Sequence, residues 1–111
     1  MNFLFFTHSE IRVGDLYLDL SRREACCGDR KSRVKATPFK LLVLLATNAD
    51  AIVSRQAIFA QVWGYDFDPG TKIIDVQLSY LRKVLVTLEC AVKIDTHRGK
   101  GLRLRANGCP S

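Results

Sequence analysis

The sequence predicts an α+β fold, in which a four-stranded antiparallel sheet is followed by three helices and a C-terminal β-hairpin. Apolar residues recur at every second position in the first third of the chain, then at helical spacing, and again at every second position near the end. Glycine-containing turns separate these segments. A chain of 111 residues, 48% hydrophobic and 25% charged, is typical of one folded domain. We expect that domain to span residues 11–105, with an apolar extension at 1–10 and a tail at 106–111.

The N-terminal sheet is predicted from two hairpin patterns, with strands at residues 11–13, 16–20, 22–27 and 30–35. The first hairpin turns at Gly14-Asp15 and the second at Gly28-Asp29. Upstream, the apolar run at residues 3–6 is compatible with a further strand or with an exposed stub. An exposed apolar strand edge there would favour self-association.

Two helices are predicted next. Thr37 is a suitable N-cap and Pro38 a suitable first helical residue, and the helix should end near Asn48. The second helix should begin after another N-cap, Ser54, and end at Trp63. Their apolar stripes are predicted to be core: Phe39, Leu42, Leu45, Ala46, Ile58, Phe59 and Val62.

The third helix, predicted over residues 71–85 with Asp68 or Thr71 as its cap, organises the rest of the chain. Its apolar residues at steps of four, three and four form a core stripe: Ile74, Leu78, Leu81 and Leu85. The rest of its surface mixes cations, one acid, an amide, an aromatic ring and β-branched residues: Lys72, Ile73, Asp75, Val76, Gln77, Ser79, Tyr80, Arg82 and Lys83. Such a face suits phosphates, base edges and a thymine methyl. Taken alone, the helix is equally compatible with an ordinary solvated surface.

The C-terminal segment is predicted to be a hairpin, with half-buried strands around residues 92–95 and 102–105 joined by H-R-G-K-G at 97–101. Two helices joined by a loop and followed by a basic hairpin form a winged helix-turn-helix. In that arrangement the third helix lies in the DNA major groove and the hairpin tip reaches the minor groove or the backbone.

The charge distribution indicates a polyanionic partner. Seventeen Lys and Arg residues against eleven Asp and Glu residues give a net charge of +6. Cations cluster at residues 30–40 and 93–105, and neither cluster lies on a basic amphipathic helix of the membrane-binding kind. Nucleic acid is therefore favoured over a membrane. The apolar opening lacks a basic segment and is too short for a signal peptide, so a cytoplasmic location is expected.

The sequence predicts neither a cofactor nor a metal site nor an enzyme. None of the four cysteines, Cys26, Cys27, Cys90 and Cys109, forms a C-x-x-C pair. Strand alternation should bury one of Cys26 and Cys27 and expose the other, and a sensing role for this pair stays open. Paired carboxylates in a pocket pattern and a glycine-rich phosphate loop are also missing from the sequence.

Three stretches in order closely resemble the effector domain of OmpR/PhoB-type response regulators of two-component systems: V-S-R-Q-A-I-F-A-Q-V-W-G-Y-D-F, I-D-V-Q-L-S-Y-L-R-K-V-L and I-D-T-H-R-G-K-G-L-R-L. The resemblance covers roughly residues 11–105. It implies a DNA-binding transcription regulator, two copies of which bind direct-repeat half-sites. The DNA contacts it implies are Lys72, Ile73, Val76, Gln77, Tyr80, Arg82 and Arg98, to which we add the cations Lys83 and Lys100. Its loop at residues 63–70 matches a segment with which some members touch RNA polymerase, here through Tyr65, Asp66 and Phe67.

Departures from the family pattern have consequences. Pro38 replaces an acid, so the first helix should start late. Gln77 replaces a histidine and can pair with adenine. Tyr80 and Val84 stand where Arg and Lys are common, which reduces the phosphate contacts available. Leu102 replaces a Tyr behind the wing. The fewer cations on the third helix and the apolar N-terminus keep open an alternative function, a winged-helix protein-interaction module that binds RNA polymerase or another regulator.

One further expectation concerns the phosphoacceptor receiver domain that precedes the effector domain in this family. The family's receiver domain does not fit in 111 residues, so the chain is expected to be either an excised effector domain or a protein that acts without a receiver.

Overall fold

The computed structural model describes residues 9–106 and confirms the predicted fold class. Its strands are β1 (Glu10–Val13), β2 (Leu16–Asp19), β3 (Glu24–Cys27), β4 (Arg30–Arg33), β5 (Val53–Ser54), β6 (Lys93–His97) and β7 (Gly101–Arg105). Its helices are α1 (Ala36–Thr47), α2 (Arg55–Ile58), which continues as a π-helical segment at Phe59–Trp63, and α3 (Ile73–Thr87). The predictions for the apolar run at residues 3–6 and for Cys109 fall outside the described residues.

The N-terminal sheet has the antiparallel order β1-β2-β3-β4. Leu18 lies opposite Ile11 on one side and Ala25 on the other, and the alternate residues of β2 are buried as predicted. β2 ends one residue earlier than predicted and β3 begins two residues later, so residues 20–23 form the turn between them. The Asp19 carboxylate accepts hydrogen bonds from the backbone N–H groups of Ser21 and Arg22, which closes the turn between β2 and β3.

Helix α1 begins at Ala36, so the prediction of Thr37 as N-cap and of a late start was wrong. The N-cap is Lys35, whose carbonyl accepts from the Phe39 N–H, and no side chain caps the helix. Pro38 is tolerated inside the first turn because the first four N–H groups of a helix have no partner within it. The predicted end is confirmed, since the helix ends at Thr47 and Asn48 is its C-cap.

Helix α2 begins as predicted, with the Ser54 hydroxyl accepting a hydrogen bond from the Ala57 N–H at 3.0 Å. The helix widens to π geometry over Phe59–Trp63, and Gly64, with φ 77°, ends it. The strand β5 was not predicted. It has two residues and pairs with β7, Val53 opposite Leu102, so β5-β7-β6 form a three-stranded sheet.

Helix α3 is displaced from its predicted range of 71–85 by two residues at each end. Its N-cap position is Lys72 and not Asp68 or Thr71 as predicted, but the Thr71 hydroxyl accepts a hydrogen bond from the Ile73 N–H, the first of the helix, at 3.4 Å. Asp68 instead accepts from the Gly70 N–H within the loop. The Thr71 carbonyl accepts from Arg55 at 3.3 Å, which holds Thr71 in the loop rather than in the helix.

One hydrophobic core joins the two sheets and the helices. It includes Leu18 of the N-terminal sheet, Leu42 of α1, Ile74 of α3 and Leu104 of the hairpin, each at most 1% exposed. This core fixes α3 against the hairpin and leaves the opposite side of α3 exposed. Within residues 9–106, no helix is both long enough and apolar enough to cross a membrane.

Candidate nucleic-acid interface

Helix α3 separates cleanly into a buried and an exposed side. The predicted core stripe is confirmed, because Ile74, Leu78, Leu81 and Leu85 are all buried, and Val84 joins them. On the opposite side, helical spacing places Val76, Ser79 and Lys83 on one face. All three are exposed, and Val76 is 62% exposed. A flat, partly apolar face of this kind is available to a groove of DNA.

One flank of that face is half-buried. Tyr80 packs against the core, and its hydroxyl accepts a hydrogen bond from the Lys35 backbone N–H at 3.2 Å. The Lys35 ammonium lies 5.5 Å from the centre of the Tyr80 ring. Ile73 also packs against the core, which leaves only part of its side chain outside. Gln77 is half-buried, and its amide makes no hydrogen bond with any residue between 9 and 106. Gln77 therefore retains its hydrogen-bonding capacity for a ligand.

Arg82, on the other flank, connects α3 to the hairpin. Its Nη2 and Nε donate to the Ile94 carbonyl at 2.7 and 3.2 Å, and Nη2 lies 3.3 Å from the Thr96 hydroxyl. Donors held in one rigid plane suit a side chain that must hold two elements together. The structure thus shows a positioning role for Arg82 that the sequence did not predict.

The hairpin turn presents two cations. Arg98 and Lys100 are both exposed, and the Lys100 N–H donates to the His97 carbonyl at 2.8 Å, which closes the turn. Gly99 between them has φ 75°. Gly101 has φ 151°, and a Cβ at this position would overlap the Val53 carbonyl of β5. The wing is therefore held close to β5 at its base while its tip extends into solvent.

Ion pairs neutralise some wing cations and leave others free. Asp95 accepts from Arg103 at 3.0 Å and from Arg105 at 2.6 Å. Burial alone would raise the pKa of Asp95, but these two hydrogen bonds outweigh it and lower the pKa. Besides Arg82, which donates to the Ile94 carbonyl, four exposed cations on α3 and the turn have no carboxylate within 4.0 Å in the described part of the chain: Lys72, Lys83, Arg98 and Lys100.

A concave space lies between α3 and the wing, and Arg98 is the only one of these four cations that lines it. It measures about 340 Å³ and lies between the start of α3, at Ile74 and Asp75, and the wing residues Thr96 to Gly101. Its α3 side carries the Asp75 carboxylate, and Arg98 lies on the wing side.

Comparison with known proteins identifies the fold and its family. A family described as the C-terminal domain of transcriptional regulatory proteins matches residues 29–104. The chain belongs to this family of OmpR/PhoB-type effector domains. This confirms the resemblance to response-regulator effector domains that the three sequence stretches carried.

Individual relatives are likewise a response regulator and DNA-binding domains. The heme response regulator HssR of Staphylococcus epidermidis is 34% identical over 99 residues, which are 89% of this chain and 44% of that protein. The chain therefore spans less than half the length of the curated relative. The DNA-binding domain of Klebsiella pneumoniae RstA, solved in complex with the RstA box, is 30% identical with a TM-score of 0.77, over 90% of this chain and all of that one. The DNA-binding domain of CpxR from E. coli is 30% identical with a TM-score of 0.73, over 86% and 95%.

The effector domain carries a second exposed feature in the loop between α2 and α3. Tyr65 and Phe67 are 39% and 56% exposed, and their rings stack with centroids 5.5 Å apart. Tyr65 also stacks on the buried Phe59 at 6.1 Å, while Asp66 is exposed.

Arg55 holds this loop, and sequence reasoning did not single it out. Its Nε donates to Asp68 at 3.2 Å, and its guanidinium lies 5.4 Å from the Phe59 ring centre. The hydrogen bond from Arg55 and that from the Gly70 N–H both lower the pKa of Asp68. The only available signal was the position of Arg55 directly after an N-cap, which does not indicate a partner thirteen residues away.

Proposed function

We propose that this effector domain binds a specific double-stranded DNA sequence through α3 in the major groove and the wing turn at residues 97–101 on the minor groove or backbone. The observation that carries the proposal is a set of four exposed cations, Lys72 at the N-cap of α3, Lys83 on α3 and Arg98 and Lys100 on the wing, none of which has a carboxylate within 4.0 Å among residues 9–106. Cations in this position contact phosphates and fix the register of the helix in the groove. The DNA-bound RstA domain, of the same fold, supports it.

The remaining predicted contacts take different roles in this proposal. Val76 and Gln77 read base edges, Val76 through apolar contact with a thymine methyl and Gln77 through its unbonded amide. Ile73 and Tyr80 supply apolar surface beside them, limited by their packing on the core. Arg82 offers DNA only the part of its guanidinium that Ile94 and Thr96 do not occupy.

We further infer that two copies bind neighbouring direct-repeat half-sites, because one α3 helix reads only a few base pairs. Selection of bound duplexes from a random library tests both statements. Enrichment of two direct repeats about one helical turn apart, with affinity that falls steeply as salt rises, is the expected result. Weak binding without an enriched motif would contradict the proposal.

The aromatic loop supports a second candidate function, a contact with RNA polymerase through Tyr65, Asp66 and Phe67. Two stacked rings exposed next to a carboxylate form a small apolar and acidic surface, and Arg55 holds the loop before any partner binds. Phe67→Ala should leave DNA affinity unchanged and reduce transcription from a promoter that carries the selected site. Equal transcription by both proteins would exclude the loop contact. The alternative function is a module that binds protein and not DNA. In that case Lys83→Ala and Arg98→Ala should leave binding to the protein partner unchanged.

A further inference from the structure

Three metal-ligating side chains converge far from the α3 face. Asp15 lies in the turn between β1 and β2, Cys27 is the last residue of β3, and Cys90 lies in the connector after α3. One carboxylate oxygen and the two Sγ atoms all lie within 4.8 Å of one another. Spacing along the chain gave no sign of this cluster, because its members come from three separate elements.

The backbone around the cluster is already fixed. The Ala91 N–H donates to Asp15 Oδ2 at 2.8 Å, and Cys27 Sγ donates to the Asp15 carbonyl at 3.2 Å. The Cys90 N–H donates to the Leu85 carbonyl of α3 at 3.0 Å. Beside it, Arg30 pairs with Glu89 at 3.2 Å and joins the same sheet to the same connector. The three ligating groups are therefore held together without any ion.

Their chemistry selects a particular class of ion. Two sulfur ligands and one carboxylate match the donor sets of zinc-class ions, whereas calcium and magnesium require oxygen ligands. We propose that Asp15, Cys27 and Cys90 bind one thiophilic divalent ion, with Zn²⁺ as the natural candidate. Ligand atoms in a tetrahedral zinc site lie roughly 3.5–3.8 Å apart, so the cluster needs side-chain shifts on the order of 1 Å.

Solvent access to the cluster and the charge of its ligands are also compatible with Zn²⁺. Cys27 and Cys90 are 4% and 7% exposed, whereas Asp15 is exposed, so solvent reaches the cluster from the Asp15 side. Burial is the main cause that raises the pKa of both thiols. The divalent charge favours their thiolates. Binding therefore releases one proton from each thiol to solvent and involves no change in oxidation state.

The ion would connect the N-terminal sheet to the connector that leaves α3. Since a group that binds only the folded state stabilises it, saturating Zn²⁺ should raise the unfolding temperature of the full chain.

Titration of the reduced full chain with Co²⁺ tests the proposal, because Co²⁺ bound by thiolates gives a sulfur-to-metal charge-transfer band. We expect one equivalent to bind and Zn²⁺ to displace it. Cys27→Ser and Cys90→Ser should lose the band. Asp15→Asn, which keeps a hydrogen-bond acceptor for Ala91, should bind at least about tenfold more weakly. Cys26→Ser is the matched control, since Cys26 is adjacent to Cys27 but outside the cluster, and it should keep full binding.

Two measurements on the unaltered chain keep the test independent of folding defects. X-ray absorption at the zinc edge should show two sulfur neighbours, and a site with none would overturn the proposal. Saturating Zn²⁺ should also slow oxidation of Cys27 and Cys90 to a disulfide. Equal oxidation rates with and without Zn²⁺, or loss of the Co²⁺ band in Cys26→Ser, would overturn it as well.

Discussion

At the scale of single residues, Gln77 is where base selectivity of α3 should be most sensitive. Its amide is half-exposed and unbonded among the described residues, so it is free to form two hydrogen bonds with one base. Gln77→Ala should change discrimination by roughly 1 to 3 kcal/mol at one base pair and leave the salt dependence intact. Competition binding with single-base variants of the selected duplex measures this. Gln61→Ala, which removes an exposed amide of the same kind outside α3, serves as the control, and a uniform loss across all duplexes would refute base reading by Gln77.

Lys83 should behave in the opposite way, because a phosphate contact carries no sequence information. Lys83→Ala should weaken binding to all duplexes alike and reduce the slope of log affinity against log salt by about one unit. Titrations at several salt concentrations measure the slope. Lys31→Ala removes the same charge from the exposed edge strand β4 and should leave the slope unchanged. An equal effect of both substitutions would mean that only net charge matters.

The side chains of α3 also show how far sequence reasoning reaches at this scale. The buried stripe was predicted because the period of four, three and four is a property of the helix itself. The roles of Arg82 and Tyr80 were not, because they depend on the Ile94 carbonyl and the Lys35 N–H, backbone groups whose positions only the tertiary fold determines. The DNA contacts named from the resemblance stay predictions.

At the scale of elements, the stability of the wing should depend more on Gly101 than on Gly99. A Cβ at Gly101 would overlap the Val53 carbonyl, whereas one at Gly99 would meet open space. Both residues have positive φ, so both alanine variants carry backbone strain of order 1–3 kcal/mol. Gly101→Ala should lose more stability than Gly99→Ala and should separate β7 from β5. Urea unfolding of the two variants makes the comparison, and equal losses would show that the contact with β5 is unimportant.

The pairing of Asp95 with Arg103 and Arg105 makes part of the wing's stability dependent on pH. The pKa of Asp95 is lowered from 3.8 in the folded chain, so this stabilisation is complete above that value and is lost as pH falls through the lower, folded pKa. Asp95→Asn should therefore destabilise the chain at neutral pH, by up to about 1 kcal/mol per ion pair, and the difference should shrink below pH 3.8.

Unfolding free energies measured across this pH range test the pairing. Asp29→Asn, at an exposed turn position, is the control. A difference between Asp95→Asn and the unaltered chain that persists in acid would show that packing, not charge, is responsible.

Element boundaries were predicted less well than element types, for physical reasons. Ser54 was predicted correctly as the N-cap of α2, because an N-cap side chain bonds to the first turn of its own helix. The α1 start was misplaced because the preference of Pro38 for the first helical position is local, whereas the observed helix accepts it within the first turn. Strand β5 was not predicted, because two residues are too few to show an alternating pattern. They form a strand only through their pairing with β7.

At the scale of the whole molecule, the N-terminal sheet shares one hydrophobic core with the half formed by the helices and the hairpin, residues 36–105, to which we assign DNA binding and which we call the DNA-binding half. Leu18 of β2 is fully buried in it, and so is Ile58 at the end of α2. The sheet could be recognised from sequence, but its convergence with the connector at Asp15, Cys27 and Cys90 could not, because contacts between distant segments have no local pattern. If the core unfolds as one cooperative unit, a substitution that destabilises the N-terminal sheet must also lower the stability of the helices.

Leu18→Ala tests this coupling. Deleting a fully buried leucine side chain should cost roughly 2–5 kcal/mol. The single tryptophan, Trp63, packs at the end of α2 with its ring centre 5.6 Å from that of Phe59, so its fluorescence reports unfolding of the DNA-binding half. Far-ultraviolet circular dichroism reports the whole chain. Both midpoints should coincide in the unaltered chain and shift together in Leu18→Ala, while Val86→Ala, at a site 70% exposed, should change stability by less than about 0.5 kcal/mol. A Trp63 transition that stayed in place while the dichroism midpoint fell would mean that α2 and α3 fold without the sheet. The sheet would then be an accessory to the DNA-binding half rather than part of its support.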